Sequence, residues 1–103
     1  MSRVYLRPKA RREINAILVY LIENAGVEVA KRFRQAAADT FVELARNPLI
    51  GAVRKVRRPE FRGVRMWRVR RFESYLVFYA PKHDRIIVER VIHSSQDYTR
   101  LLK

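Results

Sequence analysis

Cysteine is absent from the 103 residues and histidine occurs only twice. Without thiolates the chain can build neither a disulfide framework nor a thiolate metal site, which suits a reducing cytoplasm. Two histidines do not make a zinc site, and there is no glycine-rich phosphate loop or G-x-S-x-G motif. No metal and no cofactor are expected. Long apolar runs are missing too: nothing approaches about 18 uninterrupted apolar residues. The opening MSRVYLRPKARREI is charged by its third position. A soluble chain with no membrane span and no export signal is therefore expected. Three glycines and four prolines are scattered as punctuation, with no linker, repeat or low-complexity tract, so residues 1–103 are read as one domain.

Acid is the other scarcity. Ten Asp and Glu stand against 23 Lys and Arg, a formal net charge of +13, so an anionic partner is expected. Eighteen of the basic residues are arginine and five are lysine. Arginine suits bidentate carboxylate or phosphate contacts and stacking on rings, which favours a binding surface over mere solubility. Between Arg54 and Arg71 nine basic residues (Arg54, Lys55, Arg57, Arg58, Arg62, Arg65, Arg68, Arg70 and Arg71) face one acid, Glu60, for a local charge of +8.

The apolar pattern orders the elements. Residues 2–7 alternate around Val4 and Leu6 as a short strand, stopped by Pro8, which is well placed in the first turn of a helix. Ala10, Ile14, Ile17 and Leu21, widened by Leu18, form an amphipathic stripe that closes near Asn24 and Gly26. Ala30, Phe33, Ala37, Phe41 and Leu44 mark a second helix that ends before Asn47-Pro48. About three residues part the helices, which predicts an antiparallel hairpin. Pro48 to Gly51 reads as a turn, and 54–63 as loop with at most a short strand.

From Val64 the period becomes two. Strands are predicted over 64–72, 74–80 and 85–93, joined by short links and hence antiparallel. The fold class is α+β, in the order β-α-α-β-β-β, with the N-terminal helical hairpin packed on a small antiparallel sheet. Tyr75, Val77 and Tyr79 alternate with Leu76, Phe78 and Ala80, so both faces of that strand are apolar and it belongs mid-sheet. In MWRVRRFESYLVFY the rings are expected inward, Trp67 included, and the arginines outward. A helical turn containing Tyr98, Leu101 and Leu102 is expected in the tail.

This wording resembles the ParE toxins of the RelE/ParE superfamily of type II toxin–antitoxin systems over nearly the whole chain. LRPKARREINAILVYLIENAG resembles their opening helix, NPLIG the turn after the hairpin, FESYLVFY the aromatic strand, and IIVERVIHSSQD the last strand and exit. The run FESYLVFYAPKHDRIIVERVIH is the most specific part. At the exit the sequence departs, reading HSSQD where relatives often carry a glycine and an arginine before the acid.

The resemblance implies a toxin that poisons DNA gyrase through protein contacts, not an enzyme in the ordinary sense, with a part in plasmid stabilisation and growth inhibition. It implies a hetero-oligomer with a ribbon-helix-helix, ParD-like antitoxin whose acidic C-terminal segment wraps the toxin. Operator DNA is then reached through the antitoxin alone. RelE-type relatives on the same fold instead cut messenger RNA on the ribosome, so fold alone does not choose between them.

Cleavage of RNA requires convergent cations and acid/base groups. The candidates for that alternative are Arg68, Arg90, His93 and Tyr98. A third reading is a basic nucleic-acid-binding module. For antitoxin or target contact the candidates are Arg54, Arg58, Arg65, Arg68, Arg70, Arg71, Arg90 and His93, with the hairpin and the sheet surface around Arg54 to Arg71 as docking area. Arg90 poses a puzzle: period two places it with Ile86, Val88 and Ile92 on a face that should be buried, where a guanidinium requires a partner. Either the strand edge lets it reach solvent or a carboxylate, or it contacts a target or antitoxin. His93 reads either as a strand-end histidine bonded to a neighbouring segment or as a functional group.

Overall fold

The computed structural model describes residues 3–101. The elements are β1 (Arg3–Leu6), α1 (Pro8–Ala25), α2 (Val27–Arg46), β2 (Ala52–Val53), a 3-10 turn at Pro59–Phe61, β3 (Arg65–Val69), β4 (Phe72–Pro81), β5 (Arg85–His93) and α3 (Tyr98–Leu101). One sheet holds all five strands in the order β1-β5-β4-β3-β2.

The stripe read in α2 is buried in full, with Ala36 and Ala45 beside it, and in α1 Ala10 and Leu21 are buried while Ile14, Ile17 and Leu18 are half-buried. A single residue, Gly26, joins the helices. Its φ of 99° lies where an L side chain is strained, and its N–H bonds to the Leu21 and Ile22 carbonyls. The helices cover one sheet face, meeting Tyr75, Val77, Tyr79, Ile86, Val88 and Val91. On the opposite face Val64, Leu76, Phe78 and Ile92 form a smaller core, closed by Val56 and Phe61 of the loop after β2 and by Tyr98. The middle position expected for β4 is therefore observed, with rings on both faces.

The sheet differs from the expectation in three ways. β1 pairs with β5 in parallel, so the sheet is mixed, whereas β3, β4 and β5 are antiparallel neighbours. Short links dictate the direction of those three, but the long helical excursion after β1 leaves its direction open. The short strand β2 precedes the basic loop instead of lying in it. The strand predicted over 64–72 ends at Val69 and Phe72 opens the next, because a tight turn occupies Arg70-Arg71. The tail turn is present over 98–101, while Leu102 lies outside the described residues.

The turn after α2 is docked by one side chain. Tyr79, fully buried, donates its hydroxyl proton to the Pro48 carbonyl at 2.8 Å and accepts from the Gly51 N–H at 2.9 Å. A Cβ at Gly51 would fall 2.7 Å from that hydroxyl oxygen and 2.9 Å from the Met66 carbonyl oxygen, so only glycine fits. Tyr79→Phe is expected to leave the two turn groups unpaired and to lower stability by about 1–3 kcal/mol in urea unfolding. Burial pushes the Tyr79 hydroxyl above its ordinary pKa, with the Gly51 hydrogen bond and Arg65 pulling the other way. The protonated group's share of stability is thus complete below about pH 10 and is lost as pH rises through the folded-state value. That alkaline loss should be smaller in the phenylalanine variant.

Candidate functional site

β2 pairs only with Arg65 and Met66 of β3. Beyond Met66 the outer edge of β3 has no strand partner, and a groove of about 630 Å³ runs along it. Met66, Trp67 and Val69 line it beside Ile50, and Arg68, Arg70 and Arg71 stand at its rim. Exposed Leu49, Ile50 and Val53 extend the apolar surface toward β2. Past Arg70 and Arg71 a second hollow continues between α2 and Phe72, lined by Val29, Arg32 and Asp39 among others.

The rim is held from below. Between Arg68 and Val69 the pairing with β4 breaks, jumping from Leu76 to Phe72. The Arg70 N–H turns to α2, where the buried Thr40 hydroxyl accepts it at 2.9 Å and itself donates to the Ala36 carbonyl at 2.7 Å. Arg68 spans the gap, donating to the Glu73 carbonyl at 2.7 Å. Arg71 sits at φ 67°, the one non-glycine residue with positive φ among those described. A left-handed arginine costs on the order of 1 kcal/mol where glycine would cost nothing, and such strain tends to collect at binding sites.

Glu43 and Glu73 line the same groove, but among the described residues neither forms an ion pair with Arg68, Arg70 or Arg71. Among the described residues only Arg58 of the Arg54–Arg71 window forms an ion pair, with Glu60 at 3.8 Å and both partners exposed. Arg65 is half-buried and structural, donating to the Leu49 and Gly51 carbonyls at 3.1 and 2.7 Å. Arg54 reaches the Met66 sulfur and lies 6.0 Å from the centre of the Tyr98 ring on the opposite sheet face.

Arg90 is buried, and a β-bulge explains its place. Phe78 pairs with Arg90 and Tyr79 with Val88, so Glu89 is an extra residue that reverses the alternation. Ile86, Val88 and Val91 consequently face the helices, while the stem of Arg90 shares the Phe78 side. Its guanidinium meets Glu13 of α1, with Nη2 and Nε at 2.6 and 2.9 Å from Oε2. The strand edge and a carboxylate thus account for Arg90. Arg58 and Arg90 line one depression together with Arg7, Lys9 and Arg12.

His93 pairs with Tyr75 across the strands and stacks edge-on against its ring at 5.0 Å. Its Nδ1 accepts from the Ser95 N–H at 3.0 Å and lies 2.8 Å from the Ser95 hydroxyl, so it ties the strand end to its exit. Tyr98 packs on Phe78, on the other face. Arg68, Arg90, His93 and Tyr98 therefore do not converge: His93 is on the helix side and Tyr98 on the far side, with the Arg90 guanidinium engaged by Glu13. What the structure gathers is Arg68, Arg70 and Arg71. Sequence reasoning missed Thr40 and Glu13, which read as ordinary helix residues. For Thr40 a signal existed in its position between Ala37 and Phe41 on the buried stripe.

The family model for the ParE toxin of type II toxin–antitoxin systems, parDE, matches residues 4–98. The chain belongs to this family. The solved structure titled "Chromosomal ParDE TA system from P. aeruginosa" holds a similar fold, with a TM-score of 0.72 and 22% identity over 90% of this chain and 96% of that one. No match was found among curated proteins. Among the described residues of this ParE-family chain no helix is long and apolar enough to cross a membrane, and no group of His, Cys, Asp or Glu could hold a metal ion.

Proposed function

We propose that this chain is a cytoplasmic gyrase-directed toxin, acting through protein contacts, and that a ParD-like antitoxin neutralises it by filling the groove along β3. The observation that carries the antitoxin contact is the combination at that edge: unpaired strand groups, an apolar floor with Trp67, and three arginines that no internal acid satisfies. An acidic amphipathic segment complements all three features. Its main chain can extend the sheet, its apolar side chains can anchor in the groove, and its carboxylates can meet the rim. The strong positive charge steers it in before those contacts form.

The chain is read as an inhibitor and not an enzyme because its four candidates for RNA cleavage are dispersed. Transition-state stabilisation requires groups fixed around one reacting atom. With purified protein, inhibition of gyrase supercoiling and accumulation of cleaved DNA are expected, and addition of the cognate antitoxin should abolish both. Codon-specific cuts in ribosome-programmed messenger RNA, with supercoiling untouched, would replace this reading by the ribonuclease one.

A further inference from the structure

A second cationic surface remains that the groove does not use. The loop 54–63 is fixed by main-chain bonds from Arg54 to Val64, from Phe61 to Arg58, from Arg62 to Pro59 and from Val64 to Phe61, while Val56 and Phe61 pack inward on the second core. Lys55, Arg57, Arg58 and Arg62 are exposed on its outside. Arg58 also lines the depression at the β5 edge, where α1 begins and contributes Lys9 and Arg12 next to Arg7. Glu89 answers Arg7 at 3.3 Å and Glu60 answers Arg58 at 3.8 Å. Among the described residues Lys9, Arg12, Lys55, Arg57 and Arg62 form no ion pair. The depression shares no lining residue with the groove.

We propose that this surface, formed by the loop 54–63 and the start of α1, binds the phosphate backbone of duplex DNA directly. Its composition distinguishes the partner. None of the large exposed apolar side chains lies in 7–12 or 54–63, so the surface lacks the buried anchor on which a protein interface depends. The exposed ring at its margin, Tyr5, is already faced by the Arg7 guanidinium at 5.8 Å, and Phe61 faces inward, so neither ring offers a free platform for unstacked bases. Guanidinium and ammonium groups held on a fixed scaffold are what phosphate contacts require, and such contacts position a protein without reading sequence. Because the groove is separate, an antitoxin seated there leaves this surface free. The toxin then adds its own contact to whatever DNA the complex occupies.

The test uses the purified full-length chain and a fluorescent duplex of arbitrary sequence, with affinity measured by anisotropy across a salt series. Arg12, Lys55, Arg57 and Arg62 are replaced together by glutamine, since all four are exposed and none is in an ion pair. The slope of log affinity against log salt should fall by about 0.9 for each phosphate no longer neutralised, or about 3.6 for four. The groove variant R68Q/R70Q/R71Q should keep most of the wild-type slope. An unchanged slope in the four-residue variant, with its circular dichroism spectrum intact, would overturn the proposal. So would a preference for single-stranded over duplex competitor, or a drop in antitoxin affinity from the same variant with DNA binding unaffected. These readouts do not involve gyrase, so the inference stands or falls apart from the proposed target.

Discussion

Replacing Glu13 with alanine is expected to destabilise the protein by about 3–5 kcal/mol, the range for removing one partner of a buried ion pair. The reason lies at the end of β1. The Arg7 N–H makes a main-chain bond to Val88 at 3.0 Å, after which Pro8 lifts the chain into α1 and leaves the rest of the β5 edge without a strand. Glu13 takes over that edge. Its Oε1 accepts the Val91 N–H at 3.0 Å, while Oε2 holds the Arg90 guanidinium, whose side chain is only 6% exposed. Alanine would strip a main-chain donor and a buried cation of this carboxylate in one step. For a domain of this size the loss corresponds to a fall in Tm of more than about 10 °C.

The same physics makes a second variant informative. Glu13→Leu combined with Arg90→Met removes both charges, so no cation is left stranded, and the double variant should be more stable than either single one. Chemical unfolding of the four proteins completes the cycle. If Glu13→Ala cost no more than a surface substitution, Glu13 would not be what closes the β5 edge.

Reversing the groove rim should have the largest effect on binding. R68E/R70E/R71E lowers the formal net charge from +13 to +7 and turns three cations toward an acidic partner into three like charges. Antitoxin affinity is expected to fall about 100-fold or more at low salt, which is about 2.7 kcal/mol, with much of the loss in the association rate. The deficit should shrink at high salt, where screening shortens to a few ångströms. The loop variant K55E/R57E/R62E makes the same change in charge outside the groove. If both variants lose affinity equally, net charge is responsible and not the site. Arg65 is left out of the reversal because its guanidinium holds the Leu49 and Gly51 carbonyls, so changing it would confuse folding with binding.

Much of this architecture was legible in the residues. The α2 stripe from Ala30 to Leu44, the bounds of β5 and the central place of β4 follow from periodicity, because local burial decides them. The bulge at Glu89 was not legible. A single extra residue in a strand leaves no mark on composition, and its effect is to exchange the faces of everything beyond it. Period two therefore placed Arg90 among Ile86, Val88 and Ile92, although only Ile92 shares its side. The parallel pairing of β1 was hidden for another reason: its partner is far along the chain, beyond both long helices and three strands, and no short link dictates direction.

At the site, the excess of arginine between 54 and 71 was evident, but its division into three uses was not. Arg65 supports the turn, Arg68, Arg70 and Arg71 rim the groove, and Arg57, Arg58 and Arg62 face outward from the loop. That division depends on the Thr40 hydroxyl and on the break in pairing after Arg68, both of which are tertiary.

Amide hydrogen exchange of the chain, alone and with its cognate antitoxin, probes the groove most directly. Saturating antitoxin is expected to slow exchange along Trp67 to Arg71 and in the adjoining Ile50 to Val53, while the loop 54–63 exchanges as it does in the free protein. Protection confined to that loop or to α1, with the outer edge of β3 exchanging freely, would contradict the placement of the antitoxin on the arginine-rimmed edge.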